Sequence, residues 1–133
     1  MIPPFNDNGY LPPGLHPATL DEIEARFGLE TEIRRVQMES LRWLVDLAWK
    51  AGVERVVVNG SFVTDKAEPN DVDCALLAGR DYPVDQKASE ALEAGLPFIN
   101  GGVVTADDFR EYVEDTFVTD RKLVQKGMVE ILR

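Results

Sequence analysis

The spacing of apolar and polar positions predicts two helices in the first half of the chain. A Thr-x-x-Glu capping box at Thr19 and Glu22 begins a short helix, and Gly28 ends it. A longer helix is expected over roughly residues 30–50, with Gly52 as its C-terminal cap. Its core-facing stripe follows i, i+3 and i+4 spacing and consists of Met38, Leu41, Leu44, Val45 and Ala48.

Strand signals begin after this helix. Short runs rich in β-branched and other apolar residues predict four strands, over residues 55–59, 72–77, 98–104 and 127–132. Weaker helical patterns separate the later strands, over 85–94 and from Thr105 to about Phe117. Because helices come before, between and after the strands, the fold class is α/β or α+β, a small mixed four-stranded sheet flanked by helices.

A proline-rich arm precedes these elements. Prolines fix their own backbone and restrict the residue before them, so residues 1–18 are predicted to be extended and not helical. Apolar residues such as Ile2, Phe5 and Leu11 are expected to hold the arm against the rest of the protein. The length of 133 residues suits one domain, and residues 1–133 are interpreted as such.

Charge then narrows the choice of partners. The chain has 24 acidic and 14 basic residues, a formal net charge of -10. The negative electrostatic potential of such a chain repels polyphosphates. Duplex DNA or RNA and an anionic membrane are therefore not expected partners. The first residues carry no secretory signal pattern, and the single cysteine, Cys74, forms no internal disulfide. The expected location is the cytoplasm.

The segment with the most chemical content lies between the first two predicted strands. Gly60 and Ser61 follow one strand, and the next strand opens with Asp71 and Asp73. Residues i and i+2 of a strand share a face, so the two carboxylates are expected side by side, where a hard cation such as Mg²⁺ relieves their repulsion. Gly60 admits a ligand close to the backbone, and Ser61 offers a hydroxyl to an anion.

The same residues also have a plainer interpretation, which the sequence leaves open. Pro69, Asn70 and Asp71 favour a turn, and carboxylates exposed at a strand start are common. Lys66, between the two motifs, is a charge partner for phosphate in the first interpretation and a solvated lysine in the second.

A strand, then Gly-Ser, nine intervening residues and Asp-x-Asp on the next strand resembles the signature of the polymerase-β-like nucleotidyltransferase superfamily in its minimal bacterial form. The opening residues 2–5, Ile-Pro-Pro-Phe, with residues 11–14, Leu-Pro-Pro-Gly, are similar to an uncharacterised bacterial subfamily of it. The resemblance covers residues 1–77 well and the remainder loosely. It implies a nucleotidyltransferase-like fold.

The resemblance further implies transfer of a nucleoside monophosphate from ATP or another nucleoside triphosphate. Carried over residue by residue, Asp71 and Asp73 are the catalytic Mg²⁺ ligands, and Gly60 and Ser61 contact the nucleotide phosphates, with Lys66 added as their charge partner. Active members of the superfamily usually carry a third carboxylate on a later strand. The predicted strand over residues 98–104 contains no acid, and the acids just beyond it suit a helix N-terminus.

Three functions follow as hypotheses. The first is a nucleotidyltransferase-like protein that binds Mg²⁺-nucleotide and transfers AMP to a protein partner, either an acceptor or a toxin-like chain, as similar small domains do when they act as antitoxins. The second is a catalytically inactive module of the same fold that uses its acidic surface to bind a protein. The third is a metal-dependent phosphohydrolase that uses Asp71 and Asp73.

Overall fold

The computed structural model describes residues 2–116 and 124–133 of the chain. Its elements in chain order are β1 (Leu15–Ala18), α1 (Leu20–Phe27), α2 (Glu32–Ala51), β2 (Val53–Asn59), β3 (Val72–Ala78), α3 (Gln86–Ala94), β4 (Ile99–Val104), α4 (Ala106–Glu111) and β5 (Met128–Ile131). A 3-10 turn, Ser61–Val63, follows β2, and a π turn, Tyr112–Thr116, follows α4. The fold is mixed α+β, as the sequence predicts.

The sheet has five strands in the order β1-β5-β2-β3-β4. Strand β2 runs antiparallel to both β3 and β5, whereas β4 is parallel to β3 and β1 is parallel to β5. The predicted count of four strands is therefore wrong, because β1 lies within the stretch predicted as the arm. Its partner β5 is at the other end of the chain, and Pro17 hides the strand signal, so no local pattern reveals the pairing.

The hydrophobic core lies on both faces of the sheet. Successive residues of a strand point to opposite faces, so Val56 and Val58 of β2 pack on one side and Val57 on the other. The larger cluster joins the sheet to α1 and α2 and includes the whole predicted stripe of α2. The smaller cluster joins it to Phe109 of α4.

Most predicted helix ends are confirmed. Thr19 and Glu22 form the reciprocal capping box, with both hydrogen bonds at 3.1 Å, and Gly52 caps α2 in the left-handed region at φ 97°. Helix α2 begins later than predicted, because the Thr31 side chain accepts the N-cap hydrogen bond. The last predicted helix changes to a π turn after Glu111, and its predicted end, Phe117, lies outside the described residues.

The arm lies against the fold, as predicted. Leu11 is fully buried, Ile2 joins the larger cluster, and the ring of Phe5 lies 6.0 Å from that of Phe27. The Gly127 amide donates to the Leu11 carbonyl at 2.9 Å, which ties the arm to the segment before β5.

No helix in the described part of the chain has the length and apolar character needed to cross a bilayer.

Candidate functional site

Gly60 turns the chain sharply at the end of β2. Its dihedral angles, φ 77° and ψ -164°, belong to a region that is open almost only to glycine. A Cβ atom at this position would collide with Oδ2 of Asp73. The sequence therefore needs glycine here for two reasons, the backbone geometry and the close approach of a carboxylate.

Asp73 lies in a row of polar residues that crosses three strands. It pairs with Asn59 of β2 on one side and with Asn100 of β4 on the other. The Asn100 amide donates to Oδ1 of Asp73 at 2.9 Å, and Oδ2 is left facing Gly60. The structure thus brings one of the two predicted carboxylates to the Gly-Ser corner.

The direction of the Asp71 side chain is less constrained than the sequence predicts. It precedes the first residue of β3 and is exposed, so strand alternation does not fix the direction of its side chain. No hydrogen bond or ion pair joins its carboxylate to another residue in the described part of the chain. The side-by-side arrangement of Asp71 and Asp73 stays a prediction.

A buried arginine holds the loop that follows Gly60. Arg34 of α2 is 1% exposed, and its guanidinium stacks 5.4 Å from the centre of the Phe62 ring. It donates to five backbone carbonyls, those of Phe27, Ser61, Phe62, Thr64 and Lys66. Burial lowers the pKa of this guanidinium, with the charges of Glu30 and Asp65 opposing the shift.

The rest of the loop is also fastened to the first turns of α2. Gln37, fully buried, donates to the Pro69 carbonyl, and the Thr31 hydroxyl donates to the Ala67 carbonyl at 3.1 Å. Together with Arg34, these contacts fix the backbone between the two predicted motifs. The sequence-based prediction of the site did not include Arg34. This residue lies four residues before Met38 on the buried stripe of α2, and a charged residue on such a stripe is the signal that could have identified it.

Gly60, Ser61 and Lys66, the three predicted phosphate contacts, line one cavity of about 350 Å³. The other residues around it are Tyr10, Thr64, Asp65 and Lys126. Neither lysine forms an ion pair with another described residue, so two cationic side chains and the Ser61 hydroxyl border the same space. The two lysines outnumber the one carboxylate in the lining, that of Asp65, so the cavity suits an anion better than a cation.

Lys126 and Tyr10 were missed because they come from distant parts of the chain. Strand β5 pairs antiparallel with β2 through Val58 and Val129, and Lys126, three residues before Val129, lines the cavity together with Ser61. Tyr10 reaches the cavity because it forms a β-bridge with Thr64, next to a hydrogen bond from the Asp65 amide to the Gly9 carbonyl. Both residues depend on long-range backbone pairing, which local patterns do not encode.

Among the described residues, no third carboxylate lies with Asp73 at the Gly-Ser corner. The strand neighbour of Asp73 is an amide, Asn100, and the described residues contain no cluster of three or more His, Cys, Asp or Glu side chains positioned for a metal ion. Asp107 forms an ion pair with Arg110 at 3.3 Å, and the Asp108 amide donates to the Thr105 hydroxyl. Both contacts stabilise the N-terminal part of α4.

Cys74, the neighbour of Asp73, faces the core. Burial, together with the charge of Asp73, raises the pKa of its thiol, so it stays protonated at neutral pH. The thiol is therefore a packing group and not a nucleophile.

Comparison with known proteins gives one match. The model of a family described as "Family of unknown function (DUF6932)" matches residues 3–132, and the chain belongs to this family. No curated protein and no solved structure matches the chain.

Proposed function

We propose that this member of the DUF6932 family is a nucleotidyltransferase-like protein that binds a Mg²⁺-nucleotide, ATP or another nucleoside triphosphate, at the Gly-Ser corner. Gly60, Ser61 and Lys66 contact the phosphates, and Asp71 and Asp73 are the metal ligands. A protein partner, a toxin-like chain or another acceptor, receives AMP. The observation that carries this proposal is the contact of Asp73 with Gly60 beside a cavity that two lysines border.

The donor set fits a hard cation. Oδ2 of Asp73 faces the corner, the carboxylate of Asp71 is exposed, and both are the oxygen ligands that Mg²⁺ prefers. The cation supplies neutralisation of the phosphate charge when it is bound. Lys66 and Lys126 add positive charge in the cavity, which offsets the repulsion expected from a chain of net charge -10.

The reaction itself is a displacement at the α-phosphorus. An acceptor hydroxyl attacks this atom, the bond to the bridging oxygen breaks, pyrophosphate leaves, and the proton of the hydroxyl passes to water. The residues of the chain bind and orient the triphosphate through the rigid Gly60–Lys66 loop, which Arg34 holds in place. This positioning is most of what such a transfer requires of a protein.

Calorimetric titration with ATP, at saturating Mg²⁺ and after chelation with EDTA, tests the binding. The double variant Asp71→Asn plus Asp73→Asn is expected to lose the Mg²⁺-dependent part of the affinity. Glu39→Gln plus Asp46→Asn removes two charges from exposed positions of α2 and serves as the control. Equal Mg²⁺-dependent binding by wild type and the Asp71/Asp73 variant would remove these residues from the site.

A second candidate function is the catalytically inactive module of the same fold, and Asn100 is the observation that favours it. An amide stands beside Asp73 on the neighbouring strand, and an amide neither carries the charge of a metal-binding carboxylate nor accepts a proton as a base. ATP labelled at the α-phosphate separates the two functions, since only the transferase labels a protein acceptor. Release of phosphate in place of pyrophosphate would indicate the third hypothesis, a phosphohydrolase.

A further inference from the structure

The two edges of the sheet differ in how well they are protected. Strand β1 has four residues and contains Pro17, which has no amide hydrogen to offer a further strand. Strand β4 has six residues, with neither proline nor charge, and its residues 100–102 are exposed. Among the described residues no strand lies beyond β4. Apart from the irregular backbone of Gly101, at φ 129°, the β4 edge lacks the features that normally prevent strand addition.

Two cavities border this edge of the sheet. The larger, about 510 Å³, lies beside α3 and is bordered by Tyr82, Leu92 and Val103. The smaller, about 100 Å³, is bordered by Ala75 and Tyr112. Both extend to the Gly101-Gly102 stretch of β4. Because side chains alternate along a strand, a segment added beside β4 would direct its side chains to the two faces of the sheet in turn, next to these cavities.

The charge of these cavities selects the side chains that they accept. Glu93 and Asp108 border the larger cavity and Asp73 borders the smaller one. No lysine or arginine belongs to either lining, as far as the chain is described. Acidic walls attract basic side chains and repel acidic ones, which affects both the rate of encounter and the choice of partner.

We propose that the β4 edge is a docking surface for an extended segment of a partner protein in which arginine or lysine alternates with small or β-branched residues. The larger cavity accommodates the long basic side chains and the smaller one the compact side chains. A second copy of this chain is a poorer occupant, because it would bring the same acidic walls together. This surface goes beyond the nucleotide site, with which it shares Asp73.

Two labelled peptides test strand addition directly. One is the heptapeptide Arg-Val-Arg-Val-Arg-Val-Arg, and the other has proline in place of the central valine, with the same charge. Fluorescence anisotropy with the full chain is expected to show saturable binding of the first peptide and roughly tenfold weaker binding of the second, since proline removes an amide donor and bends the strand. No binding of the first peptide, or equal binding of both, would overturn the proposal, since equal binding indicates charge attraction alone.

A matched pair of variants locates the surface. A Cβ atom at Gly102 meets nothing within 4 Å, so Gly102→Lys fits the fold and places a lysine, a common protector of natural edges, on β4. Leu29→Lys makes the same charge change at an exposed position, 55% accessible, between α1 and α2. We expect Gly102→Lys to weaken peptide binding roughly tenfold and Leu29→Lys to change it little.

Equal effects of the two variants would contradict the placement on β4, and thermal melts verify that both fold. Sedimentation of the protein without peptide tests the other occupant. A dimer that Gly102→Lys dissociates would assign the edge to a second copy and overturn the proposal of a basic partner.

Discussion

The two halves of the candidate site differ in how firmly the chain holds them. In the phosphate half, the loop from Gly60 to Lys66 is fixed by the buried guanidinium of Arg34. In the metal half, Asp73 accepts one hydrogen bond from Asn100, and Asp71 is exposed just before β3. In the proposed function, the fold holds the phosphate half, Gly60 to Lys66, in place before a ligand binds, and a bound cation completes the metal half, Asp71 and Asp73.

This difference follows from where each half obtains its hydrogen bonds. Backbone carbonyls of a loop need donors when water is excluded, and α2 supplies them from Arg34 and Gln37. Carboxylates at the start of a strand remain hydrated and need no such partner. A preformed phosphate half lowers the ordering cost of binding, and a hydrated carboxylate half stays open to exchange a cation.

The largest expected effect comes from removing the guanidinium. Arg34→Met keeps much of the side-chain volume but removes the guanidinium donor from five carbonyls, of which that of Ser61 keeps two donors from Thr64, so the free energy of unfolding should fall by about 3 to 5 kcal/mol. Urea denaturation measures it.

Arg34→Lys is the matched variant, because lysine keeps the charge but has three donors and no planar fork. Its loss should be smaller than that of Arg34→Met. If both variants unfold within 0.5 kcal/mol of wild type, a range typical of surface changes, the phosphate half is not held by this residue.

Gly60→Ala is expected to have the second largest effect. Alanine at φ 77° and ψ -164° is strained and its Cβ displaces Asp73, so a loss of about 1 to 3 kcal/mol is expected, together with weaker Mg²⁺-nucleotide binding. Gly102→Ala is the control, because its Cβ meets open space. Similar losses in the two variants, measured by urea denaturation, would argue against a special role for Gly60.

Asn100→Asp strengthens the metal half and should have a moderate effect. The new carboxylate would repel Asp73, so without Mg²⁺ the variant should lose about 1 kcal/mol of stability at pH 7. Mg²⁺ should restore the lost stability. Thermal melts at pH 7, with and without Mg²⁺, measure this. A variant whose stability does not respond to Mg²⁺ would indicate that Asp73 is not a metal ligand.

The smallest expected effect belongs to a partly exposed lysine. Lys126→Gln should weaken ATP binding by roughly threefold to tenfold, because it removes one charge from the cavity but leaves Lys66. Lys87→Gln, on the exposed face of α3, is the control and should leave the affinity unchanged. Calorimetry at two salt concentrations measures both. Equal affinities for the two variants would exclude Lys126 from the phosphate half.

The sequence predicts local features of this fold better than long-range ones. Capping residues such as Thr19 and Gly52, and the buried stripe of α2, follow from spacing within a few residues. Strand β1 and the cavity residue Lys126 depend on which strands are neighbours in the sheet, and no short pattern contains that information.

The candidate site divides in the same way. Gly60, Ser61 and Lys66 could be grouped from sequence because one loop carries them, and the structure brings them to one cavity. The relation of Asp73 to Asn100 depends on pairing between β3 and β4 across a long connection. Arg34 could have been identified from its place on the apolar stripe, but its carbonyl partners come from two other segments of the chain.

A crystal structure of the protein with Mg²⁺ and a non-hydrolysable ATP analogue tests the proposed site most directly. We expect the triphosphate in the cavity between Ser61 and Lys126, with Mg²⁺ at Oδ2 of Asp73. A nucleotide bound elsewhere, or a triphosphate in this cavity with no metal at Asp73, would contradict it.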